Sequence, residues 1–121
     1  MSMFDIEAIE IHLRASAARR RPITYGDLLA AFDMRFTRPR MRALCKILDE
    51  IDVRAEAAGQ PELAALVVRE ADGLPGQGWW TSRSDYVGPW EGAAAGAYLR
   101  SVQRIAYDYW KSRVAPAEVA Q

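Results

Sequence analysis

The chain contains one cysteine, Cys45, and one histidine, His12, and each scarcity closes off a class of chemistry. A lone thiol forms no intramolecular disulfide. One His and one Cys leave no ligand set for zinc or another soft metal, so no metal or cofactor is expected. His12 would have to serve any Ser-His-Asp grouping, and no spacing places a serine and an aspartate beside it. Cys45 falls mid-helix next to an apolar stripe, the setting of a small buried hydrophobe rather than an activated nucleophile. These residues point to a non-enzymatic protein.

Long apolar runs are also missing. The least polar segment, E-G-A-A-A-G-A-Y-L from Glu91 to Leu99, falls far short of the roughly 20 residues that cross a bilayer. The start, M-S-M-F-D-I-E, lacks the basic region and apolar core of a secretory signal, and a cytoplasmic location is the expectation. Net charge is absent as well: 16 basic and 16 acidic side chains cancel, leaving no whole-molecule field to draw in nucleic acid. With 121 residues, half of them apolar, the chain has the size and composition of one globular domain. Residues 1–114 are read as that domain and 115–121 as a flexible tail.

What is present is a series of well-marked helices. The first is expected over 2–19, with Ser2 as N-cap, Asp5 and Glu7 near the positive end of the dipole, and Phe4, Ile6, Ile9, Ile11, Leu13 and Ala17 on the buried side. Glu10 and Arg14 are spaced i,i+4 on the wet side. Pro22 breaks the helix. Thr24 then caps a second helix, with Asp27 in the partner position of a capping box and Leu28, Leu29 and Phe32 facing inward, ending near Asp33 or Met34. After a turn at 35–38, Thr37 caps a third helix with Pro39 in its first turn. Its stripe is Met41, Leu44, Leu48, Ile51 and Ala55; Glu50 and Arg54 form an expected i,i+4 pair, and Gly59 and Pro61 close it.

Beyond it, L-V-V-R at 66–69 is rich in strand formers, A-D-G-L-P-G-Q-G in turn formers, and Trp79-Trp80 resumes an apolar segment. A β-hairpin is the expectation, with one tryptophan inward and the other outward as a contact residue. After a polar loop, a last helix is expected from Pro89 or Trp90 to about Arg113. Its inner face is read as Tyr98, Val102, Ile105 and Tyr109, with Leu99, Ala106 and Trp110 beside it, and Tyr107 lies opposite as a candidate interface residue. Helix, turn, helix, strand, turn and strand, followed by a helix, is the plan of a mainly α, winged helix-turn-helix-like domain with a small β-hairpin.

Within that plan the sharpest functional signal is basic. Arg35, Arg38, Arg40, Arg42 and Lys46 fall in a stretch without an acid, at the start and on one face of the third helix. There arginines contact phosphates and base edges of duplex DNA. The bland alternative is a solvated helix face paired with neighbouring acids. Arg19, Arg20 and Arg21 are read as charge at a helix C-terminus. The glycines of G-L-P-G-Q-G make no phosphate cradle, because Trp79-Trp80-Thr81 immediately after them reads as a strand rather than as the start of a helix. Asp49, Asp52 and Glu56 form a solvated or salt-bridged face. The competing surface is Trp79, Trp80 and Tyr107, suited to a protein partner or a homodimer.

The segments I-T-Y-G-D-L-L (Ile23 to Leu29), P-E-L-A-A-L-V-V (Pro61 to Val68) and D-G-L-P-G-Q-G-W-W (Asp72 to Trp80) resemble a group of small uncharacterised bacterial and prophage-borne proteins. That resemblance implies a winged-helix-like fold and carries no settled activity; a prophage or defence setting belongs to the alternative in which the chain is a protein-interaction module. More distantly, T-Y-G followed by a helix, a basic helix and a hairpin is similar to the DNA-binding half of alkyltransferase-like proteins. The Pro-Cys-His-Arg signature of that family is missing, so the similarity implies only a DNA-facing role for Arg38, Arg40 and Arg42, without alkyl transfer.

Overall fold

The computed structural model describes residues 5–81 and 83–113. It is mainly helical: α1 (Ile6–Ala18), β1 (Ile23–Thr24), α2 (Tyr25–Ala31), α3 (Arg38–Ala57), a 3₁₀ turn at Ala64–Leu66, β2 (Val67–Val68), α4 (Gln77–Thr81) and α5 (Gly92–Trp110).

The helix starts obey local chemistry. Asp5 caps α1 by accepting from the amides of Glu7 and Ala8 at 3.1 and 3.2 Å, so it is the cap itself rather than a first-turn acid; Ser2 and Phe4 lie outside the described residues. Thr24 Oγ1 accepts from Asp27 N at 3.1 Å, and Thr37 Oγ1 from Arg40 N at 3.2 Å, as their positions predict.

The helix ends share one device. After α1, α2 and α3 a left-handed residue turns the chain, and the next amide reaches back to the carbonyl five residues earlier: Arg21 to Ser16, Met34 to Leu29 and Gln60 to Ala55. Glycine is the usual residue at such a position, having no Cβ to clash. Gly59 obeys that rule, whereas Arg20 and Asp33 hold φ of +57° and +58°. Only the third stop was therefore marked in the sequence by a glycine.

The β-hairpin is not formed. Val67 and Val68 pair in parallel with Ile23 and Thr24, and this two-stranded sheet joins the two segments that flank α2 and α3. The glycine- and proline-rich run does turn the chain: Gly73 has φ +70°, and Arg69 and Leu74 close a loop through a 2.8 Å backbone bond. From there the chain enters the short helix α4 instead of a returning strand. Successive residues of a helix point about 100° apart instead of 180°, so both tryptophans can turn inward. Trp80 is buried, and Trp79 packs partly buried against both apolar clusters.

The larger cluster joins α1, α2, α3, the 3₁₀ turn and the C-terminal end of α5, and Leu13, Leu44, Ile51 and Leu66 are fully buried in it. The smaller holds Val68, Leu74, Trp80, Ala95, Leu99 and Val102. α1 and α5 make the most extensive contact between elements. The inner face of α5 is rotated from the expected one: Leu99, Val102, Ala106 and Trp110 are buried, while Ile105 is exposed and Tyr98 and Tyr109 are partly so. The polar Gln103 takes an inward place because its amide donates to Ala65 O at 2.9 Å. Periodicity alone treats it as a surface residue.

Candidate nucleic-acid interface on α3

α3 is a 20-residue helix whose buried stripe is Leu44, Leu48, Ile51 and Ala55, with Met41 partly covered. The stripe leaves the opposite face to solvent. Arg38, Arg42 and Lys46 keep i,i+4 spacing on that outer face, and all three are exposed, as is Arg35 in the preceding turn. Arg40 is half-buried and donates to Arg35 O at 3.1 Å, so it braces the turn into α3 rather than standing free.

Among the described residues ion pairs hold some of the cations and none of these. Arg14, Arg20, Arg54, Arg69 and Arg83 are matched with carboxylates. Arg35, Arg38, Arg42 and Lys46 have no salt bridge among the described residues. The first turn of α3 also carries no acid, so nothing in that turn offsets the positive end of the helix dipole.

The acids of α3 lie toward its other end, and among the described residues none forms a salt bridge with the basic half. Asp49, Asp52 and Glu56 line a groove together with Glu62, Trp79 and Arg83. Asp52 is not a solvated charge as its spacing suggests. Its Oδ1 accepts from Leu63 N at 2.8 Å and Ala64 N at 3.1 Å, capping the 3₁₀ turn that leads into β2. Burial pushes its pKa up to about 6 against those two bonds, with Glu62 and Asp49 adding repulsion.

Glu10 also departs from the wet-side reading. It is buried between α1 and α3, its Oε2 3.2 Å from Arg14 and its Oε1 2.9 Å from Arg54. Arg54 therefore reaches across to α1 instead of pairing with Glu50.

The tryptophans hold an interior knot. Trp79 Nε1 donates to Glu62 Oε1 at 3.0 Å, and the Arg83 guanidinium lies 4.3 Å from its ring centre. Arg83 also forks onto both Glu62 oxygens at 2.6 and 3.0 Å and donates to Tyr98 Oη at 2.8 Å. Trp80, Tyr86 and Tyr98 pack beside this ion pair with ring centres 4.4–6.2 Å apart. Tyr107 is half-buried, with the Arg20 guanidinium 5.5 Å from its ring centre. The three aromatics expected as a contact surface are thus divided between the knot and a groove beside α5.

His12 is partly covered, its ring 6.0 Å from Phe32, and burial together with Arg19 lowers its pKa. Burial and Asp49 raise that of the Cys45 thiol, which favours its protonated, unreactive form. Among the described residues no group of His, Cys, Asp and Glu is arranged to hold a metal ion, and no helix is long and apolar enough to cross a membrane.

No family model, curated protein or solved structure matches this chain.

Proposed function

We propose that the protein is a non-enzymatic, helix-turn-helix-like module that contacts duplex DNA through the N-terminal half of α3. The observation that carries this reading is the clustering of four exposed cations, Arg35, Arg38, Arg42 and Lys46, in the turn before α3 and the first half of that helix, none of them in a salt bridge among the described residues. Guanidinium groups spaced one turn apart track a phosphate backbone or enter a groove, and the α2–turn–α3 order suits a helix presented outward from a packed neighbour. A basic wing forms no part of the reading, since the chain after β2 turns inward. Contact with the backbone makes affinity strongly salt-dependent: four neutralised phosphates give a slope of roughly −3.6 in log K against log salt. Fluorescence anisotropy with a labelled duplex at several salt concentrations measures that slope. Arg38→Glu with Arg42→Glu should abolish binding at low salt, and unchanged binding by this variant refutes the reading.

A second reading, a protein-interaction module of a prophage or defence system, draws on a different surface. Val87 and Trp90 are exposed on the 84–91 loop, where Tyr86 Oη donates to Pro89 O at 2.7 Å. A partner held by this loop would be lost on changing Trp90 to Ser and retained when α3 is charge-reversed.

A further inference from the structure

Beside α5, away from the knot of tryptophans, lies a groove of about 940 Å³, within the size range that holds small organic ligands. Three arginines line it: Arg20 from the end of α1, and Arg100 and Arg104 one turn apart on α5. Arg20 is tied to Asp108 at 2.9 Å. Arg100 and Arg104 have no salt bridge among the described residues. Like charges at i,i+4 on a helix repel, and an anion lying between them would be attracted to both.

The backbone makes room for one of them. A Cβ built on Gly96 would come within 3.1 Å of Arg100 Nη1, so the guanidinium lies back over the glycine. The acids that reach the groove do not fill this position. Asp72 is forked by Arg69 at 3.2 and 2.7 Å, and Glu91 precedes α5 more than two turns before Arg100. Val68, Leu74 and Leu99 add apolar lining, and Tyr107 contributes an aromatic ring.

We infer that this groove binds a phosphorylated small molecule, with Arg100 and Arg104 gripping its phosphate. Paired guanidinium forks match the several oxygens and double charge of a phosphate better than the single charge of a carboxylate. The volume exceeds what a bare phosphate needs, and the apolar lining accommodates an organic remainder. The site is independent of the DNA reading, which rests on α3.

Inorganic pyrophosphate is the probe, titrated into the ¹⁵N-labelled full chain at fixed ionic strength. Saturable shifts should appear at Gly73, Leu74 and the α5 amides from Gly96 to Arg104. Arg100→Gln with Arg104→Gln, both exposed and so compatible with an unchanged thermal transition, should weaken binding at least tenfold. Arg38→Gln with Arg42→Gln should leave it unchanged. Linear, unsaturable shifts, equal affinity in the α5 variant, or loss of binding in the α3 variant instead would each overturn the proposal.

Discussion

Replacing Asp52 by Asn should stabilise the protein above neutral pH. In the folded chain the carboxylate accepts from two amides, yet burial raises its pKa from 3.8 to about 6. A folded-state pKa above the unfolded value means that the native protein holds the proton more tightly. Its contribution is therefore fully present below about 3.8 and is lost as pH rises through about 6. At about 1.4 kcal/mol per unit the gap gives an upper figure of about 3 kcal/mol. Because Asp52 opens onto a groove, solvent screening reduces this to about 1–2 kcal/mol. Asparagine keeps an oxygen for Leu63 and Ala64 and removes the charge. Asp52→Asn should thus exceed the wild type by about 1–2 kcal/mol above pH 7, roughly 4–10 °C in Tm for a domain of this size. The difference should shrink toward zero near pH 4. Asp52→Ala separates the two effects, since it leaves both amides without an acceptor and should fall below Asp52→Asn by about 1–3 kcal/mol. Urea unfolding at pH 4, 5.5 and 7.5 measures all three proteins. An Asn variant no more stable than wild type at pH 7.5, or a difference that does not change with pH, refutes the reasoning.

Two further perturbations probe the interior ion pairs. Glu10→Ala removes the shared acceptor of Arg14 and Arg54 between α1 and α3; with both arginines partly open to water, the loss should be about 2–3 kcal/mol in urea unfolding, below the range for a fully enclosed pair. Arg83→Ala unmakes the fork to Glu62 and the bond to Tyr98 that hold the start of the 84–91 loop. A local loss of about 2 kcal/mol should speed chymotryptic cleavage at Tyr86 and Trp90 by well over tenfold, with α1 and α3 still protected from hydrogen exchange.

The legible part of the candidate interface was the basic run itself. Arg35, Arg38, Arg42 and Lys46 stand out because no acid interrupts them, and Thr37 and Leu44 fix where α3 starts and which way it faces. Their lack of partners was not legible, since ion pairing depends on carboxylates from other elements. The α5 groove went unread for a similar reason. Arg100 and Arg104 are an ordinary exposed pair until Gly96 and the turn at Gly73 are seen beside them, although two like charges one turn apart next to a helical glycine were a usable signal.

The sequence by itself determined the helices and most of their caps, because capping bonds and apolar stripes act among residues within about one turn. Thr24, Thr37 and Gly59 mark ends that way, and the stripe of α3 needs only its own spacing. Tertiary structure decided the partner of Val67 and Val68, which local strand preference leaves open. It also decided that Trp79 and Trp80 sit in a helix, where two cores and the Glu62–Arg83 pair receive them. It made Glu10 and Asp52 interior groups, since burial of a charge depends on what the rest of the chain places around it.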